Sequence, residues 1–236
     1  MKNLALIPAR SGSKGLIDKN VRLINGKPLL AYTIDAAIKS RQFEEVFVST
    51  DSTKYAEIAK RFGAKVPFLR GLKNAGDSSS SWDVVRESLK RYEELGKNFD
   101  TIALLQPTSP LRGASEIVEG YQLFVKKEAN SVISVCEVEH SPLLCNVLDN
   151  SLSMKNFVNK EVYLKPRQQL PVYYRINGAM YIIRTKDGTD ILDLYDERCY
   201  AYVMSQKKSV DIDTELDFGI AERYLKEMER TAVLCT

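Results

Sequence analysis

The chain holds one histidine, His140, and four cysteines, Cys136, Cys145, Cys199 and Cys235, none in C-x-x-C spacing. A Cys/His zinc site needs several such ligands at short intervals, so the pattern argues against one. Reduced thiols in a cytoplasmic enzyme are the expectation. No apolar run approaches the ~20 residues that span a bilayer, and Leu4 to Ile7 is too short for a signal-peptide core. No membrane partner is expected. Charge of one sign is scarce too: 34 Lys and Arg against 31 Asp and Glu leave +3, too little to suggest a nucleic-acid partner. Two phosphate-binding fingerprints are missing. Gly12 and Gly15 lack GxGxxG spacing, which disfavours a dinucleotide oxidoreductase, and Lys14-Gly15 runs the wrong way round for GxxxxGK[ST].

What is present starts at the N-terminus. Leu4-Ala5-Leu6-Ile7 reads as a buried strand of a parallel sheet, stopped by Pro8. A loop of small residues follows, Ser11, Gly12, Ser13 and Gly15, threaded with Arg10, Lys14 and Lys19. Glycines let backbone N–H groups converge on an anion, and the cations add charge where a polyphosphate would sit. A solvated basic turn is the bland alternative. Strands at Glu45–Ser49, Lys65–Leu69 and Thr101–Leu105 then alternate with helices at Leu29–Ile38, Thr53–Phe62 and Trp82–Leu95. That order predicts βαβ units, hence an α/β, Rossmann-like, mostly parallel sheet with helices on both faces. At 236 residues, one domain spanning 1–236 accommodates it, with no further domain expected after the last helix.

Two later stretches carry chemistry. Gln106-Pro107-Thr108-Ser109-Pro110 opens from the carboxyl end of a strand, where open α/β sheets bind ligands. Asp211 and Asp213 stand two apart in extended chain, so both carboxylates should share a face while Val210 and Ile212 point inward. Paired carboxylates repel unless a cation lies between them, and magnesium suits such a pair because it completes its shell with water and phosphate oxygens. Thr214 and Asp217 fit helix capping instead. Between these stretches, 139–175 is long, weakly patterned and punctuated by Pro142, Pro166 and Pro171. Loops of that length are functional or form interfaces.

Ile7-Pro8-Ala9-Arg10-Ser11-Gly12-Ser13-Lys14-Gly15-Leu16, Lys19-Asn20, Gly26-Lys27-Pro28-Leu29, Leu104 to Arg112 (LLQPTSPLR) and the VDIDT run resemble the N-acylneuraminate cytidylyltransferases, the CMP-sialic acid synthetases. The resemblance covers nearly the whole chain and implies a homodimer paired through the 139–175 insertion. It implies transfer of CMP from CTP to the anomeric hydroxyl of a sialic-acid-type sugar, with magnesium on Asp211 and Asp213. Arg10, Ser11, Gly12, Lys14, Lys19 and Asn20 would hold the triphosphate, and Arg70 and Ser81 would border the nucleoside. The run Lys165 to Pro171 and Arg175-Ile176-Asn177-Gly178-Ala179 resemble two further family segments. They place Arg167 and Gln168 on the acceptor, with Gln106 and Tyr181 orienting its ring and Arg175 and Asn177 nearer the nucleotide. Guanidinium suits the sugar's carboxylate. Leu144 departs from relatives that carry lysine there. The segment Leu16 to Arg22 disfavours the related 3-deoxy-manno-octulosonate enzymes, legionaminate remains an open acceptor, and a non-catalytic nucleotide-binding module would have lost cations or acids that this chain keeps. No general base is assigned; His140 is the one titrating candidate near neutrality.

Overall fold

The computed structural model describes residues 1–12, 15–71, 80–186, 190–191 and 193–234, with Arg167 and residues 232–234 described by their backbone alone. Its strands are β1 (Asn3–Pro8), β2 (Leu23–Ile24), β3 (Lys27–Pro28), β4 (Glu45–Ser49), β5 (Thr101–Leu104), β6 (Ser131–Glu137), β7 (Tyr174–Lys186), β8 (Asp190–Ile191) and β9 (Cys199–Met204). Its α-helices are α1 (Leu29–Ser40), α2 (Thr53–Arg61), α3 (Ser81–Glu94), α4 (Ala114–Lys126), α5 (Lys160–Tyr163) and α6 (Glu215–Leu234).

The main sheet runs β4-β1-β5-β7-β6-β9, with β8 attached to β7. β1 pairs parallel with β4 and β5, and β6 pairs parallel with β9; β7 alone runs against its neighbours β5 and β6. The mostly parallel α/β sheet is as expected. Between β6 and β7 the chain passes through 138–173, which holds α5, and returns antiparallel along β6. The expected strand at Lys65–Leu69 shrinks to one bridge, Lys65 to Phe47. Its remaining backbone leaves the sheet, and Arg70 N–H bonds the Thr50 carbonyl.

Alternation along the strands explains the layering. Ala5 and Ile7 face a core shared with α1, α2 and α4; Leu4 and Leu6 face another shared with α3. Helices therefore cover both faces. Ser80, not Ser81, caps α3, in a reciprocal box with Asp83. Gly63 ends the α2 segment at φ +91°, a conformation glycine adopts without steric cost.

A third cluster decides where the site lies. Leu16, Leu29, Leu111 and Ile212 pack with Phe218, Ala221 and Leu225 of α6. The opening loop and the acid-bearing strap, some 200 residues apart in sequence, are thereby pressed together. Thr214 and Asp217 cap α6: Asp217 Oδ2 accepts Thr214 N–H at 2.8 Å and Thr214 Oγ1 at 2.7 Å. Capping thus uses the Asp217 carboxylate and not that of Asp211 or Asp213.

Candidate active site

Chain order reverses between β1 and β5, because the chain leaves β1 toward β4 on one side and returns to β5 on the other. Ligands of open α/β sheets bind at such switch points, beyond the carboxyl ends of the strands. A cavity of about 330 Å3 opens there, lined by Pro8, Arg10, Gly15, Lys19, Asn20, Arg70, Ser81, Val84, Gln106, Pro107, Thr108 and Asp213. Seven of the candidate site residues expected from the sequence line this one space, namely Arg10, Lys19, Asn20, Arg70, Ser81, Gln106 and Asp213, whereas Asp211 is not part of its wall.

Hydrogen bonds fix the opening loop from outside. Asp51, at the end of β4, accepts Ser11 N–H at 2.8 Å and Ser11 Oγ at 2.7 Å. Burial alone would push the Asp51 carboxyl up, but the Ser11 bonds and the charge of Arg70 hold it below the usual range. Asn20 is buried and donates to the Arg10 carbonyl at 3.1 Å. Gly12 adopts φ +75°, and a Cβ on Gly15 would stand 2.8 Å from the Asp213 carbonyl oxygen. Gly15 is therefore required by close approach of the strap. Lys14 lies outside the described residues.

Lys19 turns toward the strap. Its ammonium donates to the Ile212 carbonyl at 2.6 Å and to Asp213 Oδ1 at 3.0 Å. Arg70 is buried along the cavity floor, donating through Nε to Ser49 Oγ at 3.1 Å and through a terminal nitrogen to the Ser49 carbonyl at 2.6 Å. Burial lowers its pKa against the opposing pull of Asp51 and Glu87.

The two strap acids differ. Residues 210–213 form no strand; Ile212 is buried as expected, and its N–H bonds the Thr108 carbonyl at 2.9 Å. Asp213 has a side chain 75% exposed and paired with Lys19. Asp211 is half-buried, and its Oδ1 is buried without a hydrogen-bond partner. Burial, with help from Asp213, raises its pKa over the opposing effects of Thr108, Lys19 and Arg175. The carboxylates of one face in the sequence reading have become one inner and one outer acid, because packing of Ile212 twists the strap against Thr108.

A bulge in β7 brings a further wall. Between Ile133 and Val135, β6 advances two residues while β7 advances five, from Tyr181 to Ile176. The Ser134 hydroxyl fills the gap, donating to Asn177 Oδ1 at 2.6 Å and accepting Met180 N–H at 2.8 Å. Gly178, at φ +75°, sits on the crest; a Cβ there would lie 3.7 Å from Gln106 Oε1 and 3.8 Å from Asp211 Oδ2. Bulges re-aim side chains beside sites in this way. Asn177 is consumed by the bulge, with Nδ2 bonding Ser209 Oγ at 2.9 Å, and it does not line the cavity. Arg175 reaches the Ser209 carbonyl at 3.4 Å, behind the strap. Tyr181 packs edge-on against Trp82 with ring centroids 5.3 Å apart, and burial raises its pKa with contributions from Tyr195 and Asp211.

Gln168 lies elsewhere. It lines a second hollow of about 560 Å3 within the insertion, together with His140, Ser141, Leu144 and Tyr173. Arg167 opens the 3-10 turn Arg167–Gln169, and its side chain is outside the described residues. Sequence reasoning missed Asp51, Thr108 and Gly178. Position at the carboxyl end of a strand was the available signal for Asp51, and the Gln106–Ser109 turn for Thr108; the bulge at Gly178 had no signal short of the sheet register.

A family model described as cytidylyltransferase matches residues 4–235. The chain belongs to the cytidylyltransferase family. This is the family expected from its motifs, and its members are nucleotidyltransferase enzymes. CMP-N,N'-diacetyllegionaminic acid synthase of Legionella pneumophila is 37% identical over 99% of this chain and 100% of that protein. N-acylneuraminate cytidylyltransferase of Escherichia coli is 38% identical over 93% of this chain, which spans 51% of that relative. In fold, the chain is similar to CMP:2-keto-3-deoxy-manno-octonic acid synthetase complexed with CTP, at a TM-score of 0.70 and 17% identity over 97% of this chain and 100% of that one. This likeness at low identity supports the Rossmann-like architecture alone.

Proposed function

We propose that this cytidylyltransferase moves CMP from CTP to the anomeric hydroxyl of a nonulosonic acid, releasing pyrophosphate. The observation that carries this is convergence: the basic opening loop, the Gln106–Thr108 turn and the Asp211/Asp213 strap meet at one cavity over the β1/β5 switch point. Named relatives that make CMP-activated legionaminic acid or act on N-acylneuraminates agree with that chemistry. Arg10 and the loop backbone bind the phosphates, with Lys19 beside them and Lys14 as a further cation. Arg70 and Ser81 border the nucleoside. Gln106 and Tyr181 orient the sugar ring, and Arg167 grips its carboxylate bidentately.

The residues present fit a magnesium ion. Among the described residues no cluster of three or more His, Cys, Asp or Glu could hold a metal, but magnesium needs only one or two carboxylates when phosphate and water supply the rest. Asp211 and Asp213 would hold it, and the buried Asp211 Oδ1, without a hydrogen-bond partner, is an acceptor suited to a cation. A bound magnesium would neutralise phosphate charge as it develops. Arg10 and the loop N–H groups stabilise the departing pyrophosphate.

The insertion completes the acceptor side from a second copy of the chain, in a homodimer. Its surface supports this: Val147 is 90% exposed and Leu164 66%, with Leu152, Met154 and Val172 also bare. Apolar exposure on that scale marks an interaction surface. Free thiols at Cys136, Cys145 and Cys199 suit a reducing, cytoplasmic setting. Pyrophosphate release from CTP and magnesium is the direct test, with legionaminic acid, N-acetylneuraminic acid and 3-deoxy-manno-octulosonate as acceptors. Release with either of the first two is expected. Release with the last alone, or with none, would overturn the assignment.

A further inference from the structure

The junction of β4 and α2 grips the opening loop at two points, Ser11 and Asp18. At the first, the Asp51 carboxylate accepts both donors of Ser11, N–H at 2.8 Å and Oγ at 2.7 Å. Bonds to a charged acceptor are the strong ones, and two from one residue fix its direction as well as its place. At the second, the Tyr55 hydroxyl donates to Asp18 Oδ1 at 2.7 Å, and the Lys54 ammonium stands 3.6 Å from Oδ2. Asp18 has φ +54°, a left-handed conformation uncommon for a residue with a side chain. Its carbonyl accepts Val21 and Arg22 N–H, both at 3.0 Å, closing the turn that carries Lys19 and Asn20. The gripping residues are themselves anchored. Tyr55 is 2% exposed in the core beneath α2, and its N–H donates to the Ser52 hydroxyl that caps the helix. Asp18, Asp51 and Tyr55 are not in the cavity wall, so they act through the loop and not on a ligand.

We propose that Asp51 and Tyr55 are positioning residues that form a two-point clamp, holding both ends of the segment 11–18 in place before a nucleotide arrives. The inference rests on the function proposed above in one respect, that this loop binds the phosphates. A loop ordered in advance loses less conformational freedom on binding, so the same contacts give a higher affinity. The gain falls on the phosphate part of a nucleotide and not on its nucleoside, because Arg70 and Ser81 are carried by other segments.

The test uses three variants of the full chain. Tyr55→Phe keeps the ring in the core and removes only the hydroxyl. Asp51→Ala removes the other grip, and Asp51→Asn keeps one oxygen for Ser11 N–H. Without ligand, amide hydrogen exchange over 11–18 should be about 10-fold faster in Tyr55→Phe and Asp51→Ala, with α2 as protected as in the wild type and Asp51→Asn in between. Calorimetry with CTP and magnesium should show affinity falling about 10-fold in the same two variants, while that for cytidine stays within about twofold. Unchanged loop exchange in both variants, or faster exchange with wild-type CTP affinity, would overturn the proposal. So would a loss confined to Asp51→Ala that extends equally to cytidine, which would make Asp51 a partner of the Arg70 charge instead. Should Asp51→Ala fail to fold, Tyr55→Phe and Asp51→Asn carry both measurements. The exchange arm needs no nucleotide, so a wild-type protein that bound no CTP would count against the function above while the exchange rates still decided the clamp.

Discussion

The switch-point cavity and the hollow in the insertion are built on different principles. Around the first, each wall is tied to another element: Ser11 to Asp51, Asn20 to Arg10, Lys19 to the strap, Arg70 to Ser49. The second is larger, yet it is bounded by short turns such as Pro142–Leu144 and Arg167–Gln169, with apolar side chains facing outward. A region with few buried apolar contacts has little local stability of its own. Under the function proposed above, one chain would finish its nucleotide side and a second copy would complete the acceptor side.

The largest expected effect would break the nucleotide side at its acids. Asp213→Asn and Asp211→Asn should each lower kcat about 100-fold or more, read by pyrophosphate release at saturating CTP and magnesium. Their stabilities should part company. A raised carboxylate pKa means that the folded state favours the proton, so metal-free stability declines as pH rises through the Asp211 value. Asp211→Asn removes that penalty and should melt about 2–4 °C higher without metal at neutral pH, a shift that Asp213→Asn, on an exposed ion pair, should lack. If both variants melted alike, the inner and outer acids would not be different in kind.

Gly15→Ala comes next. A methyl group 2.8 Å from the Asp213 carbonyl oxygen forces loop and strap apart. Displacements near 1 Å at reacting groups cost about 100-fold, so turnover should fall by that order with the fold retained by circular dichroism. Near-normal turnover would show that the strap need not touch the loop.

The insertion should respond differently. Sedimentation at micromolar concentration should give a dimer, and Val147→Lys with Leu164→Lys should convert it to a monomer. The acceptor Michaelis constant should then rise about 10-fold while that for CTP barely moves, since removing binding of one substrate alone changes that constant selectively. Arg167→Ala should do the same without changing the oligomeric state. A fully active monomer would mean that the hollow has no part in the site.

Smallest of all is Ser80→Ala, which removes the cap of α3. Loss of a serine cap should lower the melting temperature by about 2–4 °C. The CTP constant should be unchanged, because Ser81 rather than Ser80 lines the cavity. Ser81→Ala should show the reverse, a raised CTP constant with little loss of stability.

Sequence by itself determined the parts that depend on near neighbours. Continuous apolar runs in Leu4–Ile7 and Ile102–Leu105 specify strands buried on both sides, because a strand sends successive side chains to opposite faces. Motif spacing located the basic loop, the Gln106 turn and the acid pair, since each is a run of a few residues. Only the tertiary structure decided what those runs do to one another. The antiparallel course of β7, the bulge that lifts Gly178 toward Gln106 and Asp211, and the anchoring of Ser11 by Asp51 all depend on partners far away in the chain. The split between Asp211 and Asp213 is the sharpest case. Their spacing made them equivalent, and the burial of Ile212 against α6 with its N–H on Thr108 made one inner and one outer, because register within a packed cluster is set by volume and hydrogen bonding across elements and not by local periodicity.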